Sequence, residues 1–336
     1  MIRQVYKLTK PRQIEIFHEQ TLFSIDEVLV KPEYMAICAA DRRYYNFERP
    51  VEIMNKKVPI ALIHEVSGTV YYDSKGEYAP GDAVVIVPTV PDFSDSDGEN
   101  IKENYTVNSK FCSSSRDGFM QSLVPARRDR IIKVNPENLR AAVLCELLSV
   151  AVNAVDSTKA DENTVFGIWG DGAVGFVTSV VLRHKFPKSK IVIFGKSDNK
   201  LLYFSFAEKV KMGTVKPVID IAFECVGGEA VGDITDEIIS FIKPQGIINL
   251  LGVSEYKQNI NTRMILEKGL TIQGHSRSSK DDFSEAARMI DENKWVRDAL
   301  LSIISEEIEI NYAENIYTAF ERDTYNDFKT ILKWRM

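Results

Sequence analysis

A cysteine, a histidine and two glutamates are the side chains of this sequence best suited to hold a metal ion. Cys38 lies in YMAICAADRRYY (34–45), and His64 and Glu65 lie in ALIHEVSGTV (61–70), each near the end of a predicted strand. Glu146, in VLCELLSVAVNAV, is a further carboxylate. These ligand types suit a zinc ion that keeps one position open for substrate. The residues alone leave an alternative, in which a buried cysteine and a hydrogen-bonded core histidine are structural.

A glycine-rich loop in the middle of the chain predicts a dinucleotide site. FGIWGDGAVGF (166–176) places Gly170, Gly172 and Gly175 in a GxGxxG pattern between a predicted strand and a helix that begins near Ala173 and includes Val174. The first glycine permits a tight turn, the second lets the backbone approach a pyrophosphate, and the third allows close packing of helix on strand. The helix N-terminus adds unpaired N–H groups that favour phosphate.

The end of the next strand indicates which dinucleotide binds. NAD sites usually carry Asp or Glu there, whereas KIVIFGKSDNK (190–200) has Gly195 followed by Lys196, Ser197 and Lys200. Lysine and serine can donate to a 2′-phosphate, which a carboxylate would repel. We therefore expect NADPH as the cofactor; the alternative is that Asp198 takes the acidic role and the site accepts NAD.

Composition excludes several function classes. The chain has 336 residues and a net charge of −6, which argues against a general nucleic-acid or membrane-surface partner. The four cysteines form no CxxC pair, so the sequence predicts no disulfide framework. The N-terminal segment lacks the apolar core of a signal peptide, and no apolar run reaches eighteen residues. We expect a cytoplasmic protein.

The order of predicted elements indicates two domains in an α/β protein. Residues 1–150 contain short strands broken by turns, with DEVLVKPEYMAI, SGTVYYD and DAVVIVP as the clearest, and a polar segment at 89–118 predicts a long surface loop or lobe. From about residue 164, strands alternate with helices, which predicts a doubly wound parallel sheet. The expected division is 1–150 with 285–336 as one domain and 151–284 as the other.

The order of these motifs resembles the zinc-dependent medium-chain dehydrogenases over nearly the whole chain. Cys38-x-x-Asp41, His64-Glu65 followed by Gly68, PGDAVV, DGFMQ, ELLSVAVNAV, the glycine loop and FECVGG follow the family order. The resemblance implies a GroES-like β-barrel catalytic domain built from both chain ends, a Rossmann cofactor domain between them, and an active site in the cleft.

The resemblance also implies roles for individual residues. Cys38, His64 and Glu146 match the direct zinc ligands of the polyol-dehydrogenase branch, Glu65 matches an exchangeable ligand or a supporting carboxylate, and Asp41 matches the partner that orients His64. The structural zinc of some members needs four cysteines in the 89–118 lobe, where only Cys112 is present, so we expect one catalytic zinc and no structural one.

Two departures from the family pattern bear on the chemistry. Ala40 replaces the Ser or Thr of the usual proton relay, so the proton would pass through Tyr44, Glu65 or water. Ile63 replaces the glycine before His-Glu, which leaves the backbone less free there.

Within the family the chain resembles the ribulose-5-phosphate reductases, on YMAICAADRRYY, FGIWGDG, AFECVGG, LLGVSEY, NTRMILEKGLTIQGHSRSS and KTILKW. That resemblance implies reduction of ribulose 5-phosphate to ribitol 5-phosphate, the precursor of CDP-ribitol for wall teichoic acid or capsule. A sugar phosphate brings about two negative charges to an acidic protein and needs cations beside it. The candidates are Arg42, Arg43, Arg277 and Lys280.

Two other functions stay open from the sequence. One is a zinc reductase of the same fold that acts on an unphosphorylated polyol or alcohol, and the other is a non-catalytic nucleotide-binding protein. Family likeness also suggests a homodimer that pairs sheet edges around residues 260–280, and a cytidylyltransferase as a working partner.

Overall fold

The computed structural model describes residues 2–20, 24–94, 101–211 and 218–336. The chain divides into two compact units: Met1–Ser149 together with Ser278–Met336 form the first unit, and Val150–Arg277 form the second. Within the described residues no single helix has the length and apolar character to cross a membrane, and one bent pair, Pro136–Ala142 with Cys145–Asp156, meets that test only when both helices are taken together.

The elements follow one another in three runs. The first runs through β1 (Ile2–Lys10), β2 (Gln13–Gln20), β3 (Glu27–Ala36), α1 (Ala39–Tyr45), α2 (Val51–Lys57), β4 (Ile60–Ala61), β5 (Glu65–Asp73), β6 (Ala83–Ile86), β7 (Thr89–Val90), β8 (Lys110–Phe111), β9 (Val124–Arg127), β10 (Ile131–Lys133), α3 (Leu139–Ala142) and α4 (Cys145–Asp156). The second comprises β11 (Val165–Trp169), α5 (Ala173–Lys185), β12 (Lys190–Gly195), α6 (Asp198–Leu201), β13 (Glu208–Lys211), β14 (Ile219–Glu224), α7 (Val231–Phe241), β15 (Ile242–Leu250), α8 (Thr262–Lys268) and β16 (Thr271–Gly274). The third comprises α9 (Lys280–Glu292), α10 (Lys294–Ser302), β17 (Ile304–Ile310), α11 (Ala313–Asp323) and β18 (Lys329–Trp334).

The first unit is built on a seven-stranded sheet in the order β10-β6-β5-β3-β18-β17, with β9 paired to β3, and a three-stranded sheet in the order β2-β1-β4. The last strand of the chain, β18, lies antiparallel to β3, so both ends of the sequence contribute to one sheet. Its core includes Tyr6 and Trp334, whose rings meet edge to face at 5.3 Å between centroids. Aromatic pairs in this arrangement add to the free energy of burial.

The segment at 89–118, predicted as a long surface loop or lobe, contains two short strands in its described part. β7 and β8 form a two-stranded antiparallel sheet through Thr89–Phe111 and Val90–Lys110. Residues 95–100 of the predicted lobe lie outside the described residues.

The second unit is a six-stranded sheet in the order β13-β12-β11-β14-β15-β16, with every neighbouring pair parallel. This order, with helices as crossovers, is that of the Rossmann fold, and it confirms the predicted doubly wound sheet. Four of the five residues of β11 are buried, as expected for a strand covered on both faces. Trp169 of β11 stacks on Phe194 of β12 at 3.9 Å between ring centroids, and Gly167 leaves the space that the Trp169 ring fills.

The glycine loop joins β11 to α5 as the pattern predicts, and its glycines meet different surroundings. A Cβ atom at Gly175 would lie 2.0 Å from the backbone oxygen of Gly170, so the helix approaches the turn too closely for any side chain. Gly172, the N-cap of α5, has an ordinary extended conformation, and a Cβ atom there would meet nothing within 4 Å. The third glycine of the pattern is therefore required for packing, whereas the protein itself tolerates a methyl group at the second.

This contrast predicts a large and a small loss of stability for two alanine substitutions. Gly175→Ala should lower the free energy of unfolding by about 1–3 kcal/mol or more, because backbone atoms must move apart to admit the methyl group. Gly172→Ala should lower it by less than about 1 kcal/mol, the scale of a weaker N-cap. Urea unfolding of both variants checks this, and equal losses would contradict the assigned contact.

Candidate active site

Three potential metal ligands meet at one end of the paired strands β3 and β5. Cys38 is the N-cap of α1, two residues beyond β3, and His64 and Glu65 stand at the start of β5. The two strands pair antiparallel with Ala36 opposite Glu65. This register brings one ligand atom from each of Cys38, His64 and Glu65 within 4.8 Å of one another.

Asp41 and Ser113 fix the orientation of the His64 ring. Ser113 Oγ lies 2.9 Å from His64 Nδ1, and Asp41 Oδ1 lies 3.6 Å from the same nitrogen. Asp41 also accepts the backbone N–H groups of Cys38, at 3.1 Å, and of Ile63, at 3.0 Å. With Nδ1 engaged in this way, Nε2 is the nitrogen left for a metal, which is the usual arrangement of a metal-binding histidine.

The charges around His64 favour its protonated form. Burial lowers the pKa of His64, but Asp41 and Cys38 outweigh burial and raise it well above its ordinary value. Burial acts to raise the pKa of Asp41. His64 and the two backbone N–H groups outweigh burial, so the pKa of Asp41 is lowered. The imidazole therefore lies in a strongly negative environment, which also attracts a cation.

Ile63, where the family has glycine, has a left-handed backbone with φ of 68°. This conformation is strained for a β-branched residue, by roughly 1–2 kcal/mol. Its N–H donates to Asp41, and its carbonyl accepts the N–H of Phe119 at 2.8 Å. The substitution thus leaves the ligand-bearing turn in place, held by these two bonds.

Lys329, at the start of β18, forms a buried ion pair with Glu65. Its Nζ lies 2.5 Å from Glu65 Oε1 and also donates to the carbonyl of Ile37 at 3.2 Å. Both side chains are almost fully buried. The other carboxylate oxygen, Oε2, is buried and has no hydrogen-bond partner among the described residues. Glu65 therefore has one carboxylate oxygen that accepts no hydrogen bond from the described residues.

Glu146 is buried in the first turn of α4 and lies outside the group of three. Burial, with Glu65 and Asp41, raises its pKa to about 7, while His64 and Lys329 act in the opposite direction. It is therefore close enough to share the electrostatics of the cluster.

The donor set fits a divalent cation. Cys38, Glu65, Asp41 and Glu146 are the acidic side chains of this region, and Lys329 and His64 are the basic ones that act on them. Burying such an excess of acidic groups is costly unless a positive ion offsets it. A thiolate, an imidazole and a carboxylate with an unbonded oxygen are ligands that zinc prefers.

The other predicted residues of the first unit lie in separate settings. The hydroxyl group of the buried Tyr44 contacts Lys57 and Ser114. Arg42 pairs with Asp323 at the end of α11, at 3.3 Å, and donates to its carbonyl. Lys280, the first residue of α9, donates its backbone N–H to Glu103. The structure does not bring Arg42 or Lys280 into the group of three.

The predicted cofactor residues of the second unit lie at the carboxyl ends of β11 and β12. Asp171 Oδ2 accepts the N–H groups of Lys196 and Ser197, each at 2.7 Å. A Cβ atom at Gly195 would lie 2.8 Å from that carboxylate oxygen, so glycine at this position makes room for Asp171. The alternative NAD ligand Asp198 is exposed and pairs with Lys211 at 3.4 Å.

Arg277, also in the second unit, has a left-handed backbone with φ of 60°, and its carbonyl accepts a hydrogen bond from Asn153. Arg43 lies on α1 of the first unit, one residue before Tyr44.

Sequence reasoning missed Lys329 and Ser113. Lys329 opens the apolar strand KTILKW, and a buried lysine at such a position is unusual enough to mark it. Ser113 lies in a run of three serines, and nothing in the run distinguishes the one that meets His64.

The chain matches known proteins over its whole length. Residues 24–136 match the family described as alcohol dehydrogenase GroES-like domain. The chain is 41% identical to ribulose-5-phosphate reductase 1 of Staphylococcus aureus over all of both proteins, and 36% identical to the ribulose-5-phosphate reductase of Streptococcus pneumoniae over 100% of this chain and 98% of that protein. Its fold matches the crystal structure of S. aureus TarJ in complex with NADPH with a TM-score of 0.88, 37% identity and full coverage of both chains.

The buried ion pair predicts a large loss of stability in one variant. Lys329→Met should lower the free energy of unfolding by about 3–5 kcal/mol, because it leaves Glu65 charged, buried and unpaired. Lys329→Met combined with Glu65→Gln should recover much of that loss. Urea unfolding in the presence of a chelator measures both.

A surface lysine provides the control. Lys294→Met removes an exposed pair with Asp298 and should cost less than about 1 kcal/mol. If Lys329→Met lowers the free energy of unfolding no more than Lys294→Met does, the buried pair does not make the predicted contribution to stability.

Proposed function

The chain belongs to the ribulose-5-phosphate reductase family of medium-chain dehydrogenases, and we propose that it reduces the C2 ketone of ribulose 5-phosphate with hydride from NADPH to give ribitol 5-phosphate. One observation supports the proposal beyond the family match. Cys38, His64 and Glu65 lie together, and a buried oxygen of Glu65 has no hydrogen-bond partner among the described residues. A non-catalytic nucleotide-binding protein has no use for such a donor set.

Cys38, His64 and Glu65 would hold one zinc ion, with Glu146 as the adjacent carboxylate. When bound, zinc polarises the ketone and stabilises the negative charge that develops on its oxygen. Asp41 and Ser113 keep the His64 ring in position, and Lys329 holds Glu65 by one oxygen and leaves the other without a hydrogen bond from the described residues. Fixing the ligands in this way limits reorganisation during the reaction.

The second unit would bind NADPH. Gly170, Gly172 and Gly175, with the N-terminus of α5 that includes Val174, would receive the pyrophosphate. Lys196, Ser197 and Lys200, which follow β12, would hold the 2′-phosphate. Hydride transfer leaves a negative oxygen that must gain a proton. Glu65 is engaged by Lys329 and would hold the metal, and the Tyr44 hydroxyl contacts Lys57 and Ser114, so we assign this proton to water.

The proposal extends to assembly and context. β16 pairs with β15 and stands at the end of the parallel sheet in the described residues, so its other edge is available for a homodimer. The product carries a phosphate that a cytidylyltransferase can couple to a nucleotide, which fits a role in teichoic acid or capsule synthesis. NADPH and sugar phosphates are intracellular metabolites, which supports a cytoplasmic enzyme.

The direct test is NADPH oxidation by the purified protein. Ribulose 5-phosphate with NADPH should give a kcat/KM at least about tenfold above ribulose with NADPH, and above ribulose 5-phosphate with NADH, since each comparison removes a charged contact. Equal activity with ribulose would favour the reductase of an unphosphorylated polyol. No activity with any ketose would favour a nucleotide-binding protein without catalysis.

A ligand substitution tests the metal cluster. Cys38→Ser should fold normally, lose bound zinc in elemental analysis, and lose at least about a thousandfold in kcat, because several kcal/mol of charge stabilisation are removed. Cys225→Ser, a matched change outside the cluster, should keep its zinc. Full activity of a zinc-free Cys38→Ser protein would contradict the proposed role of the cluster.

A further inference from the structure

Lys57, the last residue of α2, is a half-buried lysine held only by neutral oxygens. Its Nζ donates to Tyr44 Oη at 2.9 Å, to the carbonyl of Ser114 at 2.8 Å and to Ser114 Oγ at 3.0 Å. Among the residues that the structure describes, no carboxylate oxygen comes within ion-pair distance of it. These three contacts use all three N–H donors of the ammonium group while its charge has no counter-ion, so an anion at this site would replace one of the two Ser114 contacts.

Lys57 lines a cavity of about 490 Å³ in which cations predominate. Lys7, Lys56 and Arg116 also line it, against a single carboxylate, Asp117. Asp117 pairs with Lys7, which Glu19 also neutralises. Within the described ranges Lys56 and Arg116 have no carboxylate partner. A concave site with several uncompensated cations attracts anions, and phosphate above all.

The ring of Tyr44 contacts two cationic side chains. The buried ring has the Arg49 guanidinium carbon 4.3 Å from its centroid and Lys57 Nζ at 5.3 Å on the same ring. The hydroxyl of Tyr44 also shares a hydrogen bond with Ser114 Oγ at 3.2 Å. Tyr44 is therefore part of the framework that holds Lys57 in place.

A direct chain connection links this cavity to the ligand cluster. Ser114 bonds to Lys57, and its neighbour Ser113 bonds to His64 Nδ1 at 2.9 Å. Consecutive Cα atoms lie about 3.8 Å apart, so this path limits the distance from His64 to Lys57 Nζ to roughly 15 Å. Extended ribulose 5-phosphate spans roughly 7 Å from its ketone oxygen to phosphorus, with bonds of about 1.5 Å. With a polar contact of about 3 Å at each end, the reach of the substrate is roughly 13 Å, which is of the same order as this upper bound.

We propose that Lys57, assisted by Arg116, binds the 5-phosphate group of the substrate and so selects phosphorylated ketoses over free ones. This inference rests on the proposed function and names a residue outside the predicted set of Arg42, Arg43, Arg277 and Lys280. Arg42 is engaged with Asp323, whereas Lys57 has neutral partners and a cavity in front of it.

The kinetic test compares two substrates in matched variants. Lys57→Met should lower kcat/KM for ribulose 5-phosphate by roughly 10- to 100-fold, the scale of one hydrogen bond to a charged group, and change kcat/KM for ribulose less than about threefold. Lys57→Arg keeps the charge and should retain most of the activity. Lys10→Met removes an exposed lysine of β1 and should match the wild type with both substrates. Arg116→Met should show a smaller loss with the same selectivity for the phosphorylated substrate.

A binding arm tests the anion site without relying on the reaction. Inorganic phosphate should raise the melting temperature of the wild type and of Lys10→Met in a saturable way, and Lys57→Met should lose most of that rise. The melting temperatures without phosphate report whether Lys57→Met folds; if it does not, Lys57→Gln and Arg116→Met take its place in both arms.

The outcomes separate this inference from the proposed function. If Lys57→Met reduces ribulose 5-phosphate as well as the wild type does, or loses activity equally with ribulose, the phosphate assignment is wrong and the proposed function stands. If the wild type reduces no ribulose 5-phosphate while phosphate binding still depends on Lys57, the proposed function fails and the anion site serves another phosphorylated ligand.

Discussion

The pairing of β3 with β5 is the constraint on which the rest of the candidate site depends. Ala36 faces Glu65 in an antiparallel register, and this places Cys38, just beyond β3, beside His64 and Glu65 at the start of β5. A slip of one residue would turn the side chains of β5 to the opposite face and disperse the ligands. The register is held from both sides, because β5 also pairs with β6 and β3 also pairs with β18.

Charge then determines what the paired strands can hold. The cluster brings together more acidic groups than Lys329 neutralises, and Lys329 reaches Glu65 only because the last strand of the chain lies next to β3. The C-terminal strand therefore does more than extend the sheet, because it supplies the buried lysine that pairs with Glu65 and orients it. The remaining negative charge is what makes the group suited to a divalent ion.

The local parts of this architecture were predictable from the sequence. The alternating and apolar runs predicted β3, β5, β6 and the strands of the parallel sheet, and GxGxxG predicted the turn into α5. β13 was not predicted, since Glu208–Lys211 has no apolar run. Helix and strand signals are properties of neighbours in sequence, which is why these predictions succeed.

Tertiary partners account for what the sequence left out. The position of Arg42 after Cys38 predicts a phosphate ligand, yet Arg42 forms an ion pair with Asp323, which is distant in sequence. In the sequence, Gly195 in place of an acidic residue indicates NADPH, and the structure gives a second reason for the glycine, the Asp171 carboxylate against which a side chain would clash. The sequence does not single out Lys57, because nothing in its local sequence distinguishes it from Lys56. What distinguishes it is the combination of Tyr44 and Ser114 around its ammonium group, two residues from different parts of the chain. A cation's function depends on whether a carboxylate has already neutralised it, and that property belongs to the fold and not to the local sequence.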